Sequence, residues 1–197
     1  MSETDVPPPS SATLPPPRSS ESLAFEEMWK GLRKPGALIP GRREFRPRRA
    51  VPFLRNLVLL EAPIRDGDPM RFRLVGTAFE RRIQRNIKGR DHFDQMPEHM
   101  HADARASIRL MFTQPCGIWQ IVTMHYQRHY AEPMEATVLP LASESGSPPL
   151  LLSYVKPLGY TVLPQSTGGQ AMWSEDAAFY AFLDVGAGIP DWPAKPQ

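Results

Sequence analysis

The side chains able to do acid–base or metal chemistry are few. There are five histidines, His92, His99, His101, His125 and His129, and one cysteine, Cys116. Zinc needs ligands that converge and are held rigidly. His99 and His101 stand two apart at the start of an expected helix, about 200° apart around its axis, and cannot easily share an ion. His125 and His129 flank an expected turn. All five read as ordinary surface or core histidines, so no metal is assigned. Cys116 lies between Pro115 and Gly117 at a helix end. The negative end of the dipole there raises a thiol pKa and disfavours a nucleophilic thiolate. Glu61, Asp66 and Asp68 gather at a turn, which attracts Asp for reasons of its own. No G-x-S-x-G, H-E-x-x-H, G-x-G-x-x-G or Walker-type phosphate loop occurs. No catalytic residue is assigned, and the chain reads as a binding protein, not an enzyme. A small α+β enzyme using His125 or His129 as acid or base is the alternative from another class. The lack of a paired nucleophile and base in one motif counts against it.

A binding protein needs a cleft, and the apolar residues suggest where. Helical residues Phe79, Ile83, Met100, Ile108 and Met111 and strand residues Trp119 and Ile121 are the candidate lining. Trp119 and Ile121 share one face of their strand, while Ile118, Gln120 and Val122 share the other. Flexible Met suits an adaptable pocket. Trp119 is expected within the sheet and largely buried. The ligand or cofactor is left unknown. Arg81, Arg82 and Arg85 read as a solvated helix face.

The elements that must position these residues follow from periodicity. Phe25, Met28, Trp29 and Leu32 fall at i, i+3, i+4 and i+7, one helical face, with Ser22 able to cap and Pro35 and Gly36 to stop it. LVLLEA, residues 57 to 62, reads as a buried strand. Arg71 to Val75 alternates, with Phe72 and Leu74 on one side, and pairs with the first strand as a hairpin across PIRDGDP. A short helix is expected over Ala78 to Asn86, and a second from about Pro97 to Phe112. Strands follow at 117–126, 134–142 and 150–155, an antiparallel meander. The expected fold is α+β, a five-stranded antiparallel sheet with helices on one face, plus an N-terminal helix.

The whole chain has 197 residues, of which 23 are Pro and one is Cys, too few thiols for a disulfide scaffold. No apolar run is long enough to span a bilayer. The first 17 residues lack an apolar secretory core, so a cytoplasmic location is expected. Six prolines fall in residues 1 to 20, and such a segment cannot bury enough apolar surface to offset its ordering entropy. Residues 1–21 are therefore read as a disordered Pro-rich tail, 22–163 as the folded domain, and 164–197 as a C-terminal extension with scope for a short helix. Between Gly41 and Arg90 there are 14 Lys and Arg against 5 Asp and Glu. This excess is local and lacks interleaved exposed aromatics, so nucleic acid is not expected as a partner.

The order helix, two strands, short helices, three strands resembles the PAS-domain superfamily, and within it a bacterial single-domain PAS-like subfamily. Trp29 and four strings carry the likeness: LIPGRREFRP (38–47), FRLVGTAF (72–79), IKGRDHFD (87–94) and EATVLPLA (135–142). It runs from about residue 22 to 160. The resemblance implies a sensory or regulatory module in bacterial signalling. Such a module acts by protein–protein interaction, as a homodimer or with a signalling partner, here through Phe25, Met28, Trp29 and Leu32. The alternative it implies is a sensor holding a small molecule between sheet and helices. A haem-type axial histidine, as in some PAS domains, would fall on His101 or His92. The photochemical members keep a cysteine inside the helical excursion, and Cys116 lies beyond it. No membrane insertion is expected.

Overall fold

A computed structural model describes residues 17–126, 130–144, 146–159, 161–162, 172–174 and 177–192. Helix α1 spans Ser20–Lys30. A 3-10 segment, Pro47–Asn56, leads into β1 (Leu57–Glu61). Then come β2 (Phe72–Val75), α2 (Thr77–Ile83), short 3-10 turns at Phe93–Gln95 and Glu98–Met100, and α3 (His101–Thr113). Strands β3 (Cys116–Tyr126), β4 (Tyr130–Leu141) and β5 (Leu150–Pro157) form the expected meander. All strand pairs are antiparallel, and the main path through the sheet begins β2-β1-β5-β4-β3. No helix among the described residues is long and apolar enough to cross a membrane.

The five expected strands are joined by three more. β6 (Thr161–Val162) pairs with β4, while β7 (Met172–Ser174) and β8 (Phe179–Asp184) both pair with β3. Among its described residues the expected C-terminal extension supplies strands, so the sheet continues past residue 163, the expected end of the folded domain. The reason is the edge of β3: its unpaired backbone groups from Cys116 to Ile121 find partners from Asp184 back to Phe179. The Pro-rich tail lies outside the described residues up to residue 16. Its expected end, residue 21, already lies within α1. Ser19, not Ser22, is the N-cap, accepting from the Ser22 amide at 3.2 Å.

The sheet separates two apolar layers. On one side α1 lies across β4 and β5: Phe25 and Trp29 meet Leu139, Leu141, Leu150, Leu152 and Tyr154. On the other, Phe79, Ile83, Ile87, Phe93, Ile108 and Met111 meet Val58, Leu60, Phe72, Ile118 and Leu151. Strand alternation sorts each strand between these layers. β2 departs from simple alternation. Its register against β1 shifts between Leu59 and Leu60, so that Leu59 faces Leu74 but Leu60 faces Phe72. This bulge sends Phe72 to the helical layer and Leu74 to the α1 layer, where plain alternation had put both on one side.

Candidate functional site

Between the sheet and the α2–α3 segment lies a cavity of about 550 Å³. Its floor is the helix-facing side of the sheet: Val58 and Leu60, Ile118 to Met124 at every second residue, Ala136 and Val138, and Leu151, Ser153 and Val155. Its roof includes Phe79, Met96, Met100, Ala104, Ser107 and Ile108. A third wall comes from the C-terminal extension, with Ala177, Ala178, Phe179, Tyr180 and Trp192.

Two glycines of the quoted strings set this geometry. Gly76, the N-cap of α2, passes so close to the preceding segment that a Cβ would stand 2.4 Å from the carbonyl oxygens of Leu54 and Arg55. Gly89 has φ +81°, a conformation side chains disfavour. Its amide donates to the Phe72 carbonyl at 2.8 Å. The chain after it runs back along β2, with the Phe72 amide on the Arg90 carbonyl and the His92 amide on the Met70 carbonyl. Asp91 locks this return, its Oδ1 accepting from the amides of Met70 at 2.9 Å and Phe93 at 3.1 Å. The string IKGRDHFD therefore delivers His92 to the cavity wall, edge-on to Phe72 with ring centroids 5.2 Å apart.

The polar atoms of the cavity are sparse. The Ser153 hydroxyl is buried with no hydrogen-bond partner, and its residue is 3% exposed. His92 Nδ1 is likewise buried and unpartnered. Burial pushes the His92 pKa down to about 4, against a smaller opposing pull from Asp91 and a further push down from His101. The ring is therefore neutral at pH 7. Burial also raises the Tyr180 pKa, so its hydroxyl keeps its proton. Among the described lining residues there is no Lys or Arg, and Asp103, exposed near the start of α3, is the one carboxylate.

The expected lining is partly assembled. Phe79, Met100 and Ile108 line the cavity. Ile83 and Met111 belong to the adjoining core and do not line it. Trp119 and Ile121 are a correction, since they stand on the opposite face of β3 from the cavity. Trp119 is buried in the sheet as expected, at 5% exposure, donating from Nε1 to Glu135 Oε1 at 2.9 Å and stacking near Phe179. Strand β3 lies where the sequence places it, but which of its faces meets the helices is set by the crossing of β3 with α3, which has no local signal. Ser153, Gln120 and Trp192 were not expected in the lining, while His92, expected only as a haem-type axial ligand, stands on the cavity wall. Ser153 and Gln120 each carry a faint signal, a polar residue interrupting an apolar strand on the same side as its apolar neighbours.

The expected interaction face is also corrected. Phe25 and Trp29 are fully buried and Leu32 is 3% exposed, while Met28 is half-buried. Trp29 Nε1 donates to the Pro140 carbonyl at 2.8 Å, and Ser22 shares a 2.5 Å hydrogen bond with Thr137. The aromatic stripe is covered by the chain's own sheet, because two large rings bury more surface there than an outward helix could.

The remaining titratable groups have local roles. His101 Nε2 lies 3.1 Å from the Phe93 carbonyl and 2.9 Å from that of Met96. His99 is exposed, His125 lies buried on β3, and His129 lies outside the described residues. No three His, Cys, Asp or Glu among the described residues could hold a metal ion together. Cys116 opens β3 fully buried, its thiol pushed up to about 12 by burial. Arg82 is tied to Glu132 at 3.0 Å, so it is no free member of a basic face. Asp66 pairs with Arg109, Glu61 with Arg73, and Asp68 accepts from the Arg65 amide inside its turn.

Comparison with known families agrees with this architecture. The PAS domain model PAS_5 matches residues 18–156. The chain belongs to the PAS domain family, whose members are sensory domains. The solved structures it resembles include the d2 variant of RsLOV, with 16% identity and a TM-score of 0.38 over 72% of this chain and 69% of that one. They also include the Rhodobacter sphaeroides LOV protein, with 14% identity and a TM-score of 0.37 over the same shares. A search of curated proteins finds no match.

Proposed function

We propose that this chain is a sensor that holds a small molecule in the cavity between sheet and helices and passes its occupancy to a partner protein. The observation that carries the reading is the cavity itself. Protein interiors are packed to crystal-like density, with few voids larger than a water. A volume of about 550 Å³, walled by apolar side chains with a few inward polar atoms, is the usual make-up of a ligand pocket. Recognition through the α1 stripe loses its support, because Phe25 and Trp29 have no exposed surface to offer. No catalysis is assigned, since the one cysteine, Cys116, is buried and keeps its proton.

The test is native mass spectrometry and a thermal-shift screen on the full chain, beside a variant with the cavity filled, Ala136→Phe. We expect a bound mass or a library compound that raises the melting temperature of the parent and not of the folded variant. A parent that carries nothing and is shifted by no compound would overturn the reading.

A further inference from the structure

We infer that the cavity selects an uncharged, mainly apolar molecule whose hydroxyl or carbonyl oxygen meets the Ser153 hydroxyl. This rests on the ligand-binding reading above and names the chemistry of that ligand. Ser153 stands in the middle of β5, paired in register with Val58 on β1 and Val138 on β4, all three lining the cavity. Its neighbours on the same side of β5 are Leu151 and Val155. A hydroxyl buried among aliphatic side chains and left without a partner destabilises the empty fold. A Val or Ala would avoid that cost. The hydroxyl can both donate and accept, so a ligand hydroxyl or carbonyl satisfies it.

The rest of the wall excludes charge. No described lining residue is Lys or Arg, so an anion would enter a low-dielectric space with no counter-charge. Asp103 lies exposed near the start of α3, away from the floor that holds Ser153, and opposes an anion further. The His92 ring on the cavity wall is neutral and offers at most a second uncharged hydrogen bond. The volume leaves room for a ligand of roughly drug size.

Four matched probes test this, 1-decanol and decane below their aqueous solubility and decanoate and decylammonium below their micellar concentrations, each read by isothermal titration on the full chain. Ala136→Phe serves as the blocked control and Ser153→Ala as the variant that keeps the volume and loses the hydroxyl. We expect 1-decanol to bind the parent more tightly than decane or either ion, and not to bind the blocked control. In Ser153→Ala the alcohol should weaken about five- to tenfold while decane is unchanged or tighter, as loss of one neutral hydrogen bond gives. Preferred binding of decanoate or decylammonium overturns the uncharged class while leaving the cavity a ligand site. An alcohol that binds Ser153→Ala as well as the parent overturns the role of Ser153. If none of the four binds but another compound is held by the parent and lost in Ala136→Phe, the inference fails and the sensor reading stands. If nothing binds at all, both fail.

Discussion

At the scale of single residues, His92 is the group with the clearest thermodynamic signature. Its ring is pressed against Phe72 at the cavity wall, and burial lowers its pKa to about 4. In the unfolded chain a histidine takes up a proton near pH 6.5. Between those values the unfolded state binds more protons than the folded one, so stability falls as pH drops through that window. Below it the loss levels off. The slope from this one group reaches at most about 1.4 kcal/mol per pH unit. Asp91, beside it, pulls the other way, and His101 adds to the lowering. We expect urea unfolding at pH 7.5 and pH 5 to show the full chain losing stability at the lower pH, and His92→Gln to lose markedly less. An equal loss in both would place the acid sensitivity elsewhere. Glu26 acts at lower pH. Burial raises its pKa, but hydrogen bonds from Lys30 and Arg18 outweigh this and hold it below 4.5. Its contribution is therefore present above the ordinary carboxylate value and lost as acidification carries the pH down through its lowered folded value.

At the scale of elements, α1 shows how a short helix gains stability from what it covers. Eleven residues are marginal as an isolated helix. The Ser19 cap satisfies one of the free amides at the start. The Trp29 indole is buried and donates to Pro140 on β4. At the far end Arg33 reaches the Val185 carbonyl at 2.8 Å, just past β8. We expect Trp29→Ala to destabilise the chain by about 3 to 5 kcal/mol, and Ser19→Ala by about 1 kcal/mol, read as shifts in the urea midpoint. A Trp29→Ala chain that unfolds with the parent would mean that α1 does not dock on the sheet. The same experiment bears on association. If truncating Trp29 changed the assembly state and left intrachain stability untouched, the stripe would belong to an interface after all.

At the scale of the whole molecule, the C-terminal extension completes both the sheet and the cavity. The PAS family match ends at residue 156, yet β8 covers the β3 edge and Tyr180 and Trp192 face the cavity. Phe182 and Trp192 pack edge to face, 5.9 Å between centroids. A chain ending at residue 176 would expose the β3 edge over Cys116–Ile121 together with apolar cavity wall. Such an edge pairs readily with other chains. We expect that truncation to shift the protein toward large assemblies in size-exclusion chromatography. Trp192→Ala, which leaves β8 in place, should stay at the parent's elution volume and lose about 1 to 3 kcal/mol, less than a fully buried Trp costs. A truncated chain that elutes and melts like the parent would show that β8 is not part of the stable fold.

The local pattern along the chain determined a good deal by itself. The apolar period of 3.6 marked α1 and α3, alternation and β-branched content marked the five central strands, and the quoted strings marked the family. These signals depend on neighbours a few residues apart, which is why they are legible in one dimension. The side of a strand that faces helices is not such a signal. Ile118 and Trp119 are both apolar neighbours, and only the crossing of α3 over the sheet sends one to the cavity and the other to the opposite face, beside Glu135. The same holds for the bulge that splits Phe72 from Leu74, and for β8, whose pairing partners lie 58 to 68 residues away. Whether the aromatic stripe of α1 meets its own sheet or another chain was likewise open in the sequence. Periodicity shows that a face must be covered, and the tertiary structure alone supplies the surface that covers it.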